Sequence, residues 1–151
     1  MATGEIELTE REAQPTAVVR GTVAPPGLPE FLAGAFGEVM AVLAAQHLAP
    51  AGPPFGRYRV TPAGFDVEAG FPATAAVEAS GRVVPAELPG GPVVTATHRG
   101  GYETVGTTYE AVTAWLAGHG YQSAGEPWEC YLDGPEVAEP RTLVCFPVRA
   151  A

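Results

Sequence analysis

Hydrophobic and polar residues alternate in several short stretches of this chain, which predicts strands that are buried on one face. The alternation is strict in residues 65–71, and further strand-like stretches are 6–11, 17–23, 55–60, 83–88, 92–98, 128–132 and 142–148. Between them the chain is interrupted by many of its 19 glycines and 16 prolines. Frequent interruptions of this kind are typical of a protein built from many short strands.

Two longer segments have apolar residues at helical spacing instead. In residues 28–48 the apolar side chains recur in steps of four, and Pro50 ends the pattern. The second segment, about 103–118, carries Tyr109, Val112 and Leu116 on one stripe. The chain therefore predicts the order strand, helix, hairpin, and then the same order again.

The two halves also share a sequence repeat. Residues 124–131 (AGEPWECY) echo residues 51–58 (AGPPFGRY), and Leu116 follows Leu43 by the same 73 residues. We interpret this as an internal duplication within a single domain, 1–151, with one module at about 5–78 and the other at about 81–149. The expected fold is α+β: tandem pseudo-symmetric strand–helix–strand–strand modules that form one curved antiparallel sheet, with two helices on one face and a ligand cleft on the other.

Glu129 is the strongest candidate for chemistry, because the earlier copy of the repeat has Gly56 in its place. In a strand, Glu129 and Tyr131 share one face while Trp128 and Cys130 share the other. If Trp128 packs under the helices, Glu129 faces the cleft, where a carboxylate among aromatic rings can attract a cation or acquire a raised pKa. The alternative is a solvated glutamate at the edge of the sheet.

Composition and charge narrow the function classes. A formal net charge of −9 disfavours direct nucleic-acid binding and favours cationic ligands, although solubility alone also accounts for it. We find no signal-peptide pattern at the start and no run of about 18 apolar residues, so we expect a cytoplasmic protein without a membrane span. The three histidines are scattered and the two cysteines suit reduced thiols, so we expect no metal and no cofactor.

Six motifs resemble the GyrI-like domain, the bacterial effector-binding domain of multidrug-sensing transcription regulators. They are residues 52–55, 65–72, 88–91, 98–102, 127–131 and 146–148. The resemblance implies a pair of strand–helix–strand–strand modules that bind bulky apolar or cationic compounds in a central cleft. It also implies that Glu129 is the counter-ion. No helix-turn-helix pattern precedes the domain, so we do not expect a complete regulator of that type.

The expected ligand-binding residues are one acid and a set of aromatics: Glu129, Tyr131, Trp128, Tyr102, Tyr58 and Phe71. Aromatic faces bind cations and flat polycyclic molecules. Each aromatic has core packing as its alternative role, and for Tyr109 we favour core packing.

Three functions follow from these observations. The first is binding of bulky apolar or cationic small molecules, by a monomer or homodimer, with Glu129 as the charge partner. The second, implied by members that are cyclopropyl hydrolases, is addition of water to cyclopropane-bearing DNA-alkylating compounds with Glu129 as the catalytic carboxylate. The third, implied by the gyrase inhibitor that names the family, is a protein-interaction role for the acidic surface.

Overall fold

The computed structural model describes residues 3–101, 104–134 and 136–151 of the chain. A short 3₁₀ helix, Pro25–Gly27, leads into helix α1, Leu28–Ala45, and helix α2 is Val105–His119. The strands, in chain order, are β1 Thr3–Arg11, β2 Gln14–Val23, β3 Phe55–Thr61, β4 Gly64–Pro72, β5 Val83–Leu88, β6 Gly91–Arg99, β7 Tyr121–Ser123, β8 Trp128–Tyr131 and β9 Arg141–Ala150.

These elements form two compact units. The central unit is Ala13–Pro89, and the terminal unit combines β1 with Gly90–Ala151. Within each unit the neighbouring strands pair antiparallel, and one helix packs on one face of the strands. The predicted α+β class, with antiparallel strands and two helices, is confirmed.

In the central unit the strands lie in the order β5-β2-β4-β3. Helix α1 packs on them through Ala35, Val39 and Leu43, which are four residues apart and completely buried. Gly70 lies where β2 and β4 approach closely, since a Cβ there would stand 1.9 Å from the carbonyl oxygen of Ala17. Only glycine fits at that position of the sheet.

In the terminal unit the strands lie in the order β1-β6-β9-β8, and the short β7 pairs with the end of β9. Helix α2 buries Thr108, Val112 and Leu116 against this sheet. It ends at Gly120, whose φ of 76° is the left-handed conformation that glycine adopts readily at helix ends. Strand β7, three residues long, was not predicted from the sequence.

The 73-residue offset of the sequence repeat recurs in the helices. The buried residues of α2 follow the buried residues of α1 by 73 positions each: Thr108 after Ala35, Val112 after Val39, and Leu116 after Leu43. The modules inferred from the sequence follow the order along the chain. Strand pairing instead places β1 beside β6 and β5 beside β2, so each unit takes one strand from the other half. That the whole chain is one domain stays a prediction.

The segment Pro25–Ala45 is long and apolar enough to cross a membrane, by length and composition alone. The core helix of a soluble protein meets the same criterion. Here α1 buries its stripe against β2 and β4, with Ala35, Val39 and Leu43 at 0% exposure. A single helix of this kind is weak evidence for a membrane span, and α1 packs on its sheet through this stripe.

Candidate functional site

Glu129 lies on β8 and is buried, with 9% of its surface exposed. Each of its carboxylate oxygens accepts a hydrogen bond from a tyrosine. The hydroxyl of Tyr109, on α2, donates to Oε2 at 2.5 Å, and the hydroxyl of Tyr131, two residues along β8, donates to Oε1 at 3.1 Å. The site is thus a buried carboxylate held between two phenol groups.

The sheet face that carries Glu129 differs from our expectation. As predicted, Glu129 and Tyr131 point the same way, but they point towards α2, and Trp128 lies completely buried on the opposite face. The reason is the register of β8 on β9, which places Glu129 opposite Val144, a residue of the core under α2. Local alternation defines the two faces of a strand but not which of them meets the helix.

Burial raises the pKa of Glu129, because an ionised carboxylate loses its hydration inside the protein. The hydrogen bonds from Tyr109 and Tyr131 stabilise the ionised form and oppose that rise in pKa, as does the electrostatic effect of His98. Among the residues that the structure describes, no arginine or histidine forms an ion pair with Glu129. In the described part of the chain, the side-chain hydrogen bonds that this carboxylate accepts therefore come from two phenol groups.

His98, on β6, is completely buried next to this site. Its Nδ1 lies 2.9 Å from the Thr108 hydroxyl of α2. Its Nε2 lies 3.0 Å from the Thr104 hydroxyl and 3.2 Å from the carbonyl oxygen of Gly101. One imidazole thus connects the sheet to the loop before α2 and to the first turn of that helix.

The remaining candidate aromatics lie in different places. Tyr58 and Phe71 are half-buried in the central unit, where they pack against the core under α1; the ring of Phe71 meets Phe36 edge-on at 5.8 Å, and Tyr58 meets Phe65 at 5.9 Å. Tyr102 lies outside the described residues. Of the six expected residues, Tyr131 alone contacts Glu129 through a hydrogen bond in the described part of the chain.

A profile of the GyrI-like small molecule binding domain matches residues 4–149. The chain belongs to the GyrI-like family. The resemblance predicted from the six motifs is confirmed, and the coarse function follows with it: this is a GyrI-like small-molecule-binding domain. A comparison with curated protein sequences gave no significant match.

Solved structures show the same fold. The crystal structure of the EcmrR C-terminal domain matches with a TM-score of 0.85 and 22% identity, over 100% of both chains. A match to EcmrR in a complex with DNA covers 59% of that longer chain. A hydrolase from Listeria innocua matches with a TM-score of 0.73 and 13% identity, over 96% of this chain and 92% of that one.

A further match carries a ligand. SAV2435 bound to tetraphenylphosphonium has a TM-score of 0.66 and 14% identity, over 97% of this chain and 94% of that chain. At these identities the likeness establishes the GyrI-like fold and leaves the ligand of this chain to be argued from its own residues.

The described part of this GyrI-like domain contains no group of three or more His, Cys, Asp or Glu side chains suited to a metal ion. Cys130 and Cys145 are free thiols. They lie on neighbouring strands, on the sheet face opposite Glu129. The polar groups that the described residues place beside the Glu129 carboxylate are the phenols of Tyr109 and Tyr131 and the imidazole of His98.

Sequence reasoning missed two features of the site. Tyr109 does pack in the core, with its ring 5.4 Å from that of Phe146, but its hydroxyl also binds Glu129. No role was assigned to His98. A signal for Tyr109 was present in the repeat: 73 residues before Tyr109 and Glu129 stand Phe36 and Gly56, so the hydroxyl and the acid occur together in one copy only.

Proposed function

We propose that this GyrI-like domain binds bulky apolar cations, with Glu129 as their charge partner. The observation that carries the proposal is a nine-tenths-buried carboxylate whose two oxygens accept only phenol hydrogen bonds among the described residues. Burying an ionised carboxylate without a cation is unfavourable, so a ligand that brings a positive charge recovers part of that cost.

The surroundings of Glu129 suit a cation that is itself apolar. The rings of Tyr109, Tyr131 and Phe146 lie on the same side of the sheet, and aromatic faces attract cations through their quadrupole. A diffuse cation such as a phosphonium loses little hydration on entering such a site. A structural relative bound to tetraphenylphosphonium supports this class of ligand.

A second candidate is addition of water to strained, electrophilic rings such as cyclopropanes. The raised pKa of Glu129 favours it, because a general base works best when its pKa is near the working pH. Glu129 would take a proton from water as the water oxygen bonds to a ring carbon. The strained C–C bond breaks, its electron pair passes to the electron-withdrawing group attached to the ring, and that group takes up a proton to complete the addition of water.

Location in the cytoplasm and a monomeric or dimeric state stay predictions.

One experiment separates these candidates. Tetraphenylphosphonium and the neutral triphenylphosphine oxide are titrated against the protein, Glu129→Gln, and Glu110→Gln as control, since Glu110 is an exposed acid next to Tyr109. We expect Glu129→Gln to weaken phosphonium binding by about tenfold or more, equivalent to about 1.4 kcal/mol, and to leave the oxide unchanged. Equal losses for both ligands, or loss in Glu110→Gln, would contradict the proposal.

The same samples are incubated with a cyclopropane-bearing alkylating compound and analysed by mass spectrometry. Gain of one water, faster than in buffer and absent in Glu129→Gln, would establish the enzyme. Phosphonium binding without water addition would establish the binding protein. Failure of both would remove the site from consideration and direct attention to a protein partner for the acidic surface.

A further inference from the structure

His98 contacts three groups, two in the loop before α2 and one in the first turn of that helix. Its ring nitrogens contact the hydroxyls of Thr108 and Thr104 and the carbonyl oxygen of Gly101. The turn that brings this segment over the imidazole includes Gly100, whose φ of 120° is in the region that glycine adopts without strain. A completely buried side chain on β6 thus defines where α2 begins relative to the sheet.

The hydrogen bonds determine which nitrogen of His98 carries a hydrogen. The Gly101 carbonyl can only accept, and the Thr104 hydroxyl donates its own hydrogen to that carbonyl at 2.9 Å. Nε2 must therefore be the donor to this pair. Nδ1 faces the Thr108 hydroxyl, which can donate to it or accept from it. The ring is held in one orientation from both ends.

Thr108 is followed directly by Tyr109, whose hydroxyl lies 2.5 Å from Glu129 Oε2. Because successive residues of a helix are fixed relative to each other, anchoring Thr108 to β6 also sets the height and rotation at which Tyr109 meets β8. The contact between His98 and Thr108 therefore controls the contact between Tyr109 and Glu129.

The central unit provides an internal comparison. At 73 residues before Thr108, Tyr109 and Glu129 it has Ala35, Phe36 and Gly56. The other buried residues of the two helices match in type, Val39 with Val112 and Leu43 with Leu116. All three polar groups are thus absent together from a unit that packs the same helix stripe, so helix packing does not require them.

We propose that His98 is a positioning residue for the ligand carboxylate: through Thr108 and Thr104 it fixes the start of α2, so that the Tyr109 hydroxyl stays on Glu129. The functional reason for this positioning rests on the proposed function, because it assumes that Glu129 binds a ligand. Whether His98 positions Tyr109 on Glu129 can be tested without any ligand.

The test compares Thr108→Val with Thr107→Val in the otherwise unchanged protein. Thr107 is exposed on the same helix turn and its hydroxyl bonds within that turn, to the Thr104 carbonyl. Within the described part of the terminal unit, the titratable groups that face Glu129 are Tyr109 on α2, Tyr131 on β8 and His98 on β6. Neither variant removes any of these three groups. A change in the pKa of Glu129 would therefore show that their positions relative to Glu129 have changed.

The readout is the titration midpoint of the Glu129 carboxyl carbon by NMR without ligand, assigned by its loss in Glu129→Gln. We expect Thr108→Val to raise the midpoint in the direction of Tyr109→Phe, because each weakens the same hydrogen bond. The double variant, Thr108→Val with Tyr109→Phe, should have a Glu129 midpoint no higher than that of Tyr109→Phe alone. His98→Asn, which keeps a polar group near Nδ1, should shift the midpoint less than His98→Ala.

An unchanged midpoint in Thr108→Val, or a rise in the double variant equal to both single rises combined, would overturn the proposal. If Thr108→Val fails to fold, Thr108→Ala replaces it, since alanine stands at the equivalent position of α1. Should the midpoints behave as expected while tetraphenylphosphonium fails to bind, the positioning role stands and the proposed ligand class falls. Several-fold weaker phosphonium binding in Thr108→Val, with Thr107→Val unaffected, would support both.

Discussion

At the scale of single residues, Glu129 is the feature that folding alone does not account for. It lies opposite Val144 in the strand pair and is buried, which disfavours an ionised acid, and the hydroxyls of Tyr109 and Tyr131 offset that cost only in part. The equivalent position in the first copy of the repeat is a glycine, Gly56, and that copy still forms a regular sheet. A buried carboxylate at this point is therefore best explained by binding or chemistry.

This burial predicts how stability depends on pH. Because folding raises the pKa of Glu129, the folded chain holds this proton more tightly than the unfolded chain does. The resulting stability is fully present below the ordinary glutamate pKa of about 4.3 and is lost as pH rises through the folded-state pKa. Each unit of difference between the two pKa values is worth about 1.4 kcal/mol.

Glu129→Gln should lack that loss, so its free energy of unfolding relative to the original protein should improve as pH rises through this window. Urea unfolding between pH 4 and pH 8 measures the difference, with Glu110→Gln as the exposed control. A constant offset between Glu129→Gln and the original protein at every pH would contradict the predicted burial effect.

At the scale of elements, each helix packs on the strands of its own unit through an equivalent stripe of buried residues. Leu43 and Leu116 close the same stripe in α1 and α2, with 0% and 5% of their surfaces exposed. Replacing a buried leucine by alanine removes apolar contact and leaves a cavity, which costs about 2–5 kcal/mol.

We expect Leu43→Ala and Leu116→Ala to lower the free energy of unfolding by similar amounts within that range, as measured by urea denaturation. Val60→Ala is the control, because Val60 is 80% exposed and should change stability by no more than about 0.5 kcal/mol. A large effect for one leucine and none for the other would argue against equivalent packing in the two copies.

The elements also show what the sequence could predict. The helices and all but one of the strands follow from periodicity, because alternation and four-residue steps are local properties of the chain. Strand β7 is too short, at three residues, for alternation to be recognised. The expectation that Glu129 faces away from the helices was conditional on Trp128 packing under them. Both residues are buried, so alternation could not tell which one lies under α2.

At the scale of the whole molecule, the duplication is combined with an exchange of strands. β1 pairs with β6 and β5 pairs with β2, and the paired residues lie between 64 positions apart (Val19 with Val83) and 95 positions apart (Thr3 with His98). No local sequence pattern specifies pairing over such separations. The repeat therefore predicted the order of the elements along the chain but not which strands lie together in each unit. The net charge of −9 adds a field over the whole surface that favours the approach of cations over anions.

The central claim is that the Glu129 carboxylate is the charge partner of a cationic ligand. The most direct measurement is the pKa of Glu129 by carboxyl-carbon NMR, first without ligand and then with saturating tetraphenylphosphonium or triphenylphosphine oxide. A cation at the carboxylate stabilises its ionised form, so the phosphonium should lower the pKa of Glu129 while the neutral oxide should not. A pKa that stays unchanged with the phosphonium bound would contradict the account.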